Sequence, residues 1–206
     1  MTSGTLVPGR SHVDIARDAL AGGATAIQLR APELDAVRAL PIAAQLAVIC
    51  AEAHALFVVN DLLKVALEAG PHVGLHLGQE DDLAGTRARL GEHRALGISV
   101  ATPQEAERAG AMGADYLGVS IWSTATKPDA VPMGLNGLGA IARATSLPIV
   151  GIGGIDASNA RRVLAAGATG VAVISAIAAT PDPVAATREI VRVVETHRSR
   201  QEGTPR

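Results

Sequence analysis

The sequence predicts an α/β protein folded as a (β/α)8 TIM barrel with a short first strand. Short, near-continuously apolar runs alternate with alanine-rich stretches of helical character along the 206 residues. Such runs are typical of parallel strands covered by helices. Gly23, Gly70, Gly113 and Gly167 each end a helical stretch just before an apolar run. They mark every second strand, and eight units of about 26 residues fit this chain length.

Seven strands are predicted from the apolar runs. They cover Thr25–Arg30, Leu56–Asn60, Val73–Gly78, Arg94–Val100, Tyr116–Ile121, Pro148–Gly153 and Gly170–Ile177. The eighth strand of a barrel is Thr5–Val7, which is short and weak. A seven-stranded open α/β sheet is therefore the alternative architecture.

Eight helices are predicted between and after these strands. They cover His12–Ala21, Glu33–Ala53, Leu63–Ala69, Asp82–Leu90, Pro103–Met112, Gly137–Arg143, Ala157–Ala166 and Pro183–Arg198. Ser11, Thr102, Asp156 and Thr180 or Asp182 stand where N-caps belong. Pro41 predicts a kink or restart in the second helix. Residues 1–198 are expected to form one domain, with 199–206 a disordered tail.

The composition excludes several classes of function. Eighteen Lys and Arg against 20 Asp and Glu leave a net charge of −2, so no basic field is available for a nucleic acid or an anionic membrane. Aromatic residues make up only 1% of the chain, too few for a base-stacking platform. The single Cys50 excludes an internal disulfide and is expected to be a buried structural thiol. Without a signal peptide or membrane span, we expect a cytoplasmic protein. A homo-oligomer is left open.

Polar residues concentrate where the predicted strands end, and in a barrel this is the face that carries chemistry. The predicted site residues there that could touch a phosphate or a cation are Gln28, Arg30, Asn60, Asp61, Asp81, Ser99, Thr124, Thr126, Lys127, Gly154 and Ser175. Few polar residues occur at the opposite ends of the strands. The sequence therefore predicts one polar site on one face.

Gly153 and Gly154 follow the seventh strand of the predicted barrel, and Ser175 belongs to the eighth. Loops at these positions often bind phosphate through backbone N–H groups, and glycine allows the close approach. This favours a phosphate site over a simple tight turn.

Asp61 and Asp81 follow adjacent strands, a placement that suits a shared Mg²⁺ ion. It suits equally well a helix N-cap at Asp61 and a solvated acidic loop around Asp81. Arg30 and Lys127 could clamp a diphosphate or form salt bridges with the two aspartates. His76 lies inside an apolar strand and is expected to be a core histidine. The other five histidines, His12 among them, are expected at the surface. Trp122 either lines a ligand pocket or simply packs against neighbouring side chains.

The chain resembles the thiamine phosphate synthase family. The resemblance covers residues 13–195 and rests on ordered strings, the more specific being His76–Asp81 (HLGQED) and Thr124–Lys127 (TATK). Further matching strings are Gln28–Arg30, Val59–Asp61, Gly97–Ser99, Gly113–Tyr116, Val150–Ile155 and Ala172–Ile177.

The resemblance implies a (β/α)8 barrel that joins hydroxymethylpyrimidine diphosphate to a thiazole phosphate, with Mg²⁺-assisted loss of the diphosphate. Asp61 and Asp81 would hold Mg²⁺. Arg30, Asn60 and Lys127 would grip the diphosphate beside Ser99. The remaining implied contacts are Gln28 for the pyrimidine, Thr124 and Thr126 for the thiazole, and Gly154, Ile174 and Ser175 for its phosphate.

The chain also departs from the family pattern. Pro32 stands in place of a lysine, Leu62 follows the Asn–Asp pair, and Ala101 replaces a histidine. Lys64 is a candidate substitute for the missing lysine. Two other hypotheses therefore stay open: a barrel isomerase such as a thiazole tautomerase, against which Ala101 counts, and a non-catalytic protein that binds thiamine phosphate.

Overall fold

The computed structural model describes residues 1–2, 9–124 and 131–202. Within them, seven parallel strands form one sheet in chain order. They are β1 (Ala26–Leu29), β2 (Leu56–Asn60), β3 (Gly74–Leu77), β4 (Leu96–Ser99), β5 (Tyr116–Ser120), β6 (Ile149–Ile152) and β7 (Gly170–Ala172). Each predicted strand is present. The predicted first strand, Thr5–Val7, lies outside the described residues.

Helices follow the strands and connect each to the next. They are α1 (His12–Ala21), α2 (Ala36–Glu52), α3 (Leu63–Ala69), α4 (Leu83–Leu90), α5 (Pro103–Ala111), α6 (Gly134–Ala144), α7 (Ala160–Ala165), α8 (Ser175–Ala178) and α9 (Pro183–Glu202). Helix α2 continues through Pro41 without a restart. Helix α9 runs to residue 202, into the segment that the sequence predicts as a disordered tail.

Side chains at the predicted caps explain where several helices begin. Ser11 and Asp14 form a capping box at α1, and Thr102 accepts the Glu105 N–H at α5. Asp182 accepts the Ala185 N–H at 2.9 Å, which selects it over Thr180 as the cap of α9. Each cap satisfies an N–H group that has no partner within its own helix.

The sheet is curled, which gives the fold a TIM-like architecture. Gln28 on β1 and Ala172 at the end of β7 line the same cavity, although they lie on opposite edges of the sheet. Strands buried on both sides carry leucine, isoleucine and valine, and the core packs between the sheet and its helices. Cys50 on α2 is 1% exposed, and burial raises the pKa of its thiol to about 11.

The structure corrects two further expectations. The last predicted strand, Gly170–Ile177, ends at Ala172, and the short helix α8 begins at Ser175. His12 is 5% exposed rather than at the surface, and its Nδ1 atom lies 2.8 Å from Thr2 Oγ1. None of the described helices has the length and apolar character needed to cross a bilayer.

Candidate active site

One cavity opens at the carboxyl ends of the strands. Its walls come from β1 through β7, and the space within it, including the open mouth, is about 870 Å³. Eight of the sequence-predicted site residues line it together: Gln28, Arg30, Asn60, Ser99, Thr124, Gly154, Ile174 and Ser175. Parallel strands end on the same face, which explains how positions up to 147 residues apart meet.

A second cleft adjoins this cavity and shares Arg30, Asn60 and Ser99 with it. Asp61 lines the cleft directly after β2, with a positive φ of 64° that turns the chain away from the strand. Its backbone N–H donates to the carbonyl oxygen of His76 at 2.9 Å. The acidic residue is thus held at the mouth beside the predicted diphosphate contacts.

Asp81 is fixed by the turn after β3. Its Oδ2 atom accepts the backbone N–H of Gly78 at 2.7 Å, and Gly78 lines the same cleft as Asp61. The Asn60 side-chain amide donates to Asp61 Oδ2. Within the described part of the chain, no group of three His, Cys, Asp or Glu residues could hold a metal by itself.

The other end of the cavity is formed by the turns after β6 and β7. Gly153 and Gly154 adopt φ values of 96° and 64°, a region that favours glycine. A Cβ atom on Gly153 would stand 2.6 Å from the backbone oxygen of Trp122. The Asn159 side chain donates to the Gly154 carbonyl at 2.9 Å and braces the turn.

Trp122 performs both roles that the sequence leaves open. It lines the cavity and packs against the core and the Gly153–Gly154 turn. Two further predicted site residues, Thr126 and Lys127, lie outside the described residues.

The floor of the cavity contains two residues that the sequence does not select. His76 is buried as predicted, yet it also lines the cavity, and its Nε2 atom lies 3.1 Å from Ser99 Oγ. Its Nδ1 atom lies 3.1 Å from the Tyr116 hydroxyl oxygen. Burial raises the pKa of Tyr116 above its usual range, and a hydrogen bond with the Gln28 side chain partly opposes this. Tyr116 therefore stays a neutral phenol at physiological pH.

The positions that depart from the family pattern are also placed. Ala101 lines the cleft, and its backbone N–H donates to Glu105 Oε2 at 2.7 Å. Pro32 is exposed. Lys64 lies on the outside of α3 with its Nζ atom 3.9 Å from Glu68, and lines neither the cavity nor the cleft. Lys64 therefore does not replace the missing lysine in this arrangement.

A family model described as thiamine monophosphate synthase matches residues 1–177 of the chain. The thiamine-phosphate synthase of Moorella thermoacetica is 48% identical over 195 residues, covering 93% of this chain and 92% of that protein. The thiamine-phosphate synthase of Methanospirillum hungatei JF-1 is 46% identical over 193 residues, covering 92% and 93%.

Solved structures agree with the sequence relatives. The thiamine phosphate pyrophosphorylase from Pyrococcus furiosus is 38% identical with a TM-score of 0.85, covering 95% of this chain and 94% of that one. A 3-hexulose-6-phosphate synthase is 22% identical with a TM-score of 0.66, a likeness that shows the fold alone. By family model, sequence relatives and structure, this chain belongs to the thiamine monophosphate synthase family.

Proposed function

We propose that this protein joins hydroxymethylpyrimidine diphosphate to a thiazole phosphate and releases pyrophosphate. The observation that carries the proposal is one cavity with two anion-recognition sets. Arg30 directly follows β1, and Asn60 and Ser99 end β2 and β4, whereas the Gly154 turn and Ser175 come after β6 and β7. A reaction between two phosphorylated substrates needs both sets in one space.

The first set suits a diphosphate leaving group. The Arg30 guanidinium supplies a fixed positive charge, and the Asn60 amide and Ser99 hydroxyl supply neutral donors. Groups placed where negative charge develops on a leaving group stabilise the transition state more than the ground state. We assign Arg30, Asn60 and Ser99 to the diphosphate, and Lys127 to the same role.

The second set suits the phosphate of the thiazole. Gly154 keeps the backbone free of side-chain bulk, and the Ser175 hydroxyl lies at the start of α8 in the same cavity. We assign Gly154, Ile174 and Ser175 to this phosphate. Thr124 lines the space nearby and is assigned with Thr126 to the thiazole, and Gln28 to the pyrimidine.

Asp61 and Asp81 fit Mg²⁺ that is held jointly with substrate. Mg²⁺ commonly takes one or two carboxylates and completes its shell with water and phosphate oxygens. Asp61 lines the cleft with Arg30, and Asp81 accepts the N–H of Gly78, which lines the same cleft, so the two aspartates supply that number of carboxylates. When bound there, Mg²⁺ would neutralise charge on the departing diphosphate.

The bonds and charges of the proposed reaction balance without any proton transfer to or from the protein. The bond between the pyrimidine methylene carbon and the diphosphate oxygen breaks, and its electron pair leaves with the diphosphate. The thiazole nitrogen then donates its lone pair to the resulting pyrimidine cation. The protein's contribution is to hold both partners in line and to exclude water from the cation.

We also propose that the sheet closes into a full (β/α)8 barrel. Support comes from residues 1 and 2. The amino group of Met1 donates to Val173 O, beyond β7, at 2.9 Å, and the N–H of Thr2 donates to Gln28 O on β1 at 2.9 Å. Thr2 also forms a parallel bridge with Leu29. This segment therefore contacts both edges of the sheet.

The activity is tested by mixing the two substrates with Mg²⁺ and measuring pyrophosphate. We expect Mg²⁺-dependent release, with about 100-fold lower turnover in Asp81→Asn because a metal ligand supplies several kcal/mol of charge stabilisation. Asp82→Asn is the matched control: Asp82 caps α4 through the Gly85 N–H, which asparagine also accepts. No pyrophosphate from the folded wild-type protein would remove the proposal, and thiazole isomerisation without pyrimidine would replace it with the isomerase hypothesis.

A further inference from the structure

A chain of hydrogen-bonding groups crosses the floor of the cavity. It runs from Gln28 through the hydroxyl of Tyr116 and the imidazole of His76 to Ser99. The Tyr116 oxygen and His76 Nδ1 lie 3.1 Å apart, as do His76 Nε2 and Ser99 Oγ. The Gln28 side chain lies near enough to the Tyr116 hydroxyl to oppose the rise in its pKa, and all four residues line the cavity. The chain thus links the proposed pyrimidine contact to the proposed diphosphate contact.

Two glycines make this chain sterically possible. Gly97 lies on β4 in register between His76 on β3 and Tyr116 on β5. A Cβ atom on Gly97 would stand 2.6 Å from His76 Nδ1, and one on Gly118 would stand 2.9 Å from His76 Cε1. Because these positions lack side chains, residues two strands apart can bond directly. The ring centroids of His76 and Tyr116 are 5.5 Å apart.

Such a chain has a direction. A neutral imidazole donates from one nitrogen and accepts at the other, while each hydroxyl donates one proton and accepts at its oxygen. If His76 Nε2–H donates to Ser99, then Nδ1 must accept from Tyr116. The Tyr116 oxygen then accepts from the amide NH₂ of Gln28. In the reverse direction, every one of these bonds is inverted.

We propose that the diphosphate at Ser99 sets this direction and thereby makes Gln28 selective for an N–H donor on the pyrimidine. The inference rests on the proposed function. A diphosphate carries acceptors only at the oxygens it presents, so the Ser99 hydroxyl must donate to it. Gln28 then gives its NH₂ group to Tyr116 and turns its carbonyl oxygen toward the cavity. That oxygen pairs with an amino group and rejects a carbonyl group at the same place.

His76 and Tyr116 are therefore positioning residues. Neither needs to touch the reacting atoms. Through their hydrogen bonds, the direction of the Ser99 hydroxyl determines the orientation of the Gln28 amide. A site built to hydrogen-bond one group discriminates strongly against an analogue that leaves its buried polar atom unpaired. The proposal predicts that a change at Ser99 alters pyrimidine selectivity although Ser99 contacts the diphosphate end.

The test is calorimetric binding of two probes without thiazole phosphate: the aminopyrimidine diphosphate and an analogue with an oxo group in place of the amino group. We expect wild type to prefer the amino form by about 100-fold. Tyr116→Phe keeps the ring but breaks the chain, and Ser99→Ala removes its fixed end. In both variants Gln28 can rotate, so the preference should fall below about tenfold.

Two matched variants separate this from general damage to the site. Ser99→Thr keeps the hydroxyl group and should keep the preference, whereas Thr124→Val changes the cavity outside the chain and should also keep it. An unchanged preference in Ser99→Ala and Tyr116→Phe would overturn the inference, even if wild type releases pyrophosphate. A wild-type protein that shows the preference and its loss in both variants, but no turnover, would overturn the proposed function alone.

Discussion

At the scale of single residues, Gly153 and Gly154 look equivalent in sequence but differ in the structure. Both have positive φ, yet an added Cβ atom at Gly153 meets the Trp122 backbone oxygen at 2.6 Å, whereas one at Gly154 comes no closer to the Trp122 side chain than 3.4 Å. The first clash involves main chain and cannot be relieved by a rotamer change. The second is ordinary contact.

Gly153→Ala should therefore displace the turn, while Gly154→Ala should leave it in place at the strain of the left-handed conformation, about 1 kcal/mol. Because Gly154 is assigned to the thiazole phosphate, the free energy of unfolding, rather than ligand affinity, separates the two glycines. We expect Gly153→Ala to lose about 1–3 kcal/mol more of this free energy than Gly154→Ala, because overpacking against main chain adds to the strain. Urea unfolding measures this. Equal losses of unfolding free energy in the two variants would show that the Trp122 contact does not determine the turn.

Residue identity at strand ends predicted much of the candidate site, since eight of the ten predicted site residues in the described part of the chain line one cavity. His76 and Tyr116 were missed for a physical reason. A histidine inside an apolar strand is buried whether it faces a helix or the cavity, and only the curl of the sheet decides between the two. The visible signal was Gly97 and Gly118, small residues on neighbouring strands that leave room for larger side chains.

At the scale of elements, the side chain of Arg87 on α4 bonds with residues at the starts of two strands. It is 8% exposed and donates from Nε to Gly113 O at 2.9 Å and from Nη1 to Gly91 O at 2.7 Å. Its Nη2 atom lies 2.6 Å from Asp115 Oδ2, which also accepts the Leu96 N–H. One planar guanidinium thus joins a helix end to the starts of β4 and β5.

Arg87→Lys should lower the free energy of unfolding by about 3 kcal/mol. Lysine keeps the charge, but its single ammonium cannot reach all of these acceptors, so partly buried carbonyl groups lose their donors. Urea unfolding measures the change, with Arg89→Lys as the control because Arg89 is exposed on the same helix. A loss below about 0.5 kcal/mol, the usual range for surface changes, would contradict this role.

Element boundaries were predicted best where a cap or glycine marks them. Helix α1 and helix α3 match residue for residue. Helix α7 begins at Ala160 rather than Ala157 because Asp156 instead accepts the backbone N–H and hydroxyl of Ser158, at 2.8 and 2.6 Å. The last strand was predicted too long because an apolar run alone does not distinguish a buried strand from a buried helix.

At the scale of the whole molecule, the two edges of the sheet come together around Thr2. Its N–H donates to Gln28 O, and its hydroxyl oxygen lies 2.8 Å from Nδ1 of buried His12. His12 Nε2 lies 3.5 Å from Glu33, in the segment after β1. The alternation of apolar and alanine-rich segments predicted the layout of strands and helices, but not this junction, because a histidine and a threonine ten residues apart carry no periodic signal.

The junction predicts how stability depends on pH. Burial lowers the pKa of His12 below 6.5, and the nearby Glu33 carboxylate opposes this only in part. The folded protein therefore binds the His12 proton less readily than the unfolded chain does. This stabilisation is fully present above pH 6.5 and is lost as pH falls through the lowered pKa. Lowering the pH should therefore destabilise the folded protein at the junction of the two sheet edges.

His12→Gln is the informative variant because glutamine can bond with Thr2 but does not titrate. Between pH 7 and pH 5, we expect wild type to lose more free energy of unfolding than His12→Gln, since other titrating groups contribute equally to both proteins. Urea unfolding at the two pH values measures the difference, and amide exchange at Thr2 locates it. Parallel pH profiles for the two proteins would mean that His12 is not buried in its neutral form, and the edges of the sheet would then be joined by the backbone bonds of Met1 and Thr2 alone.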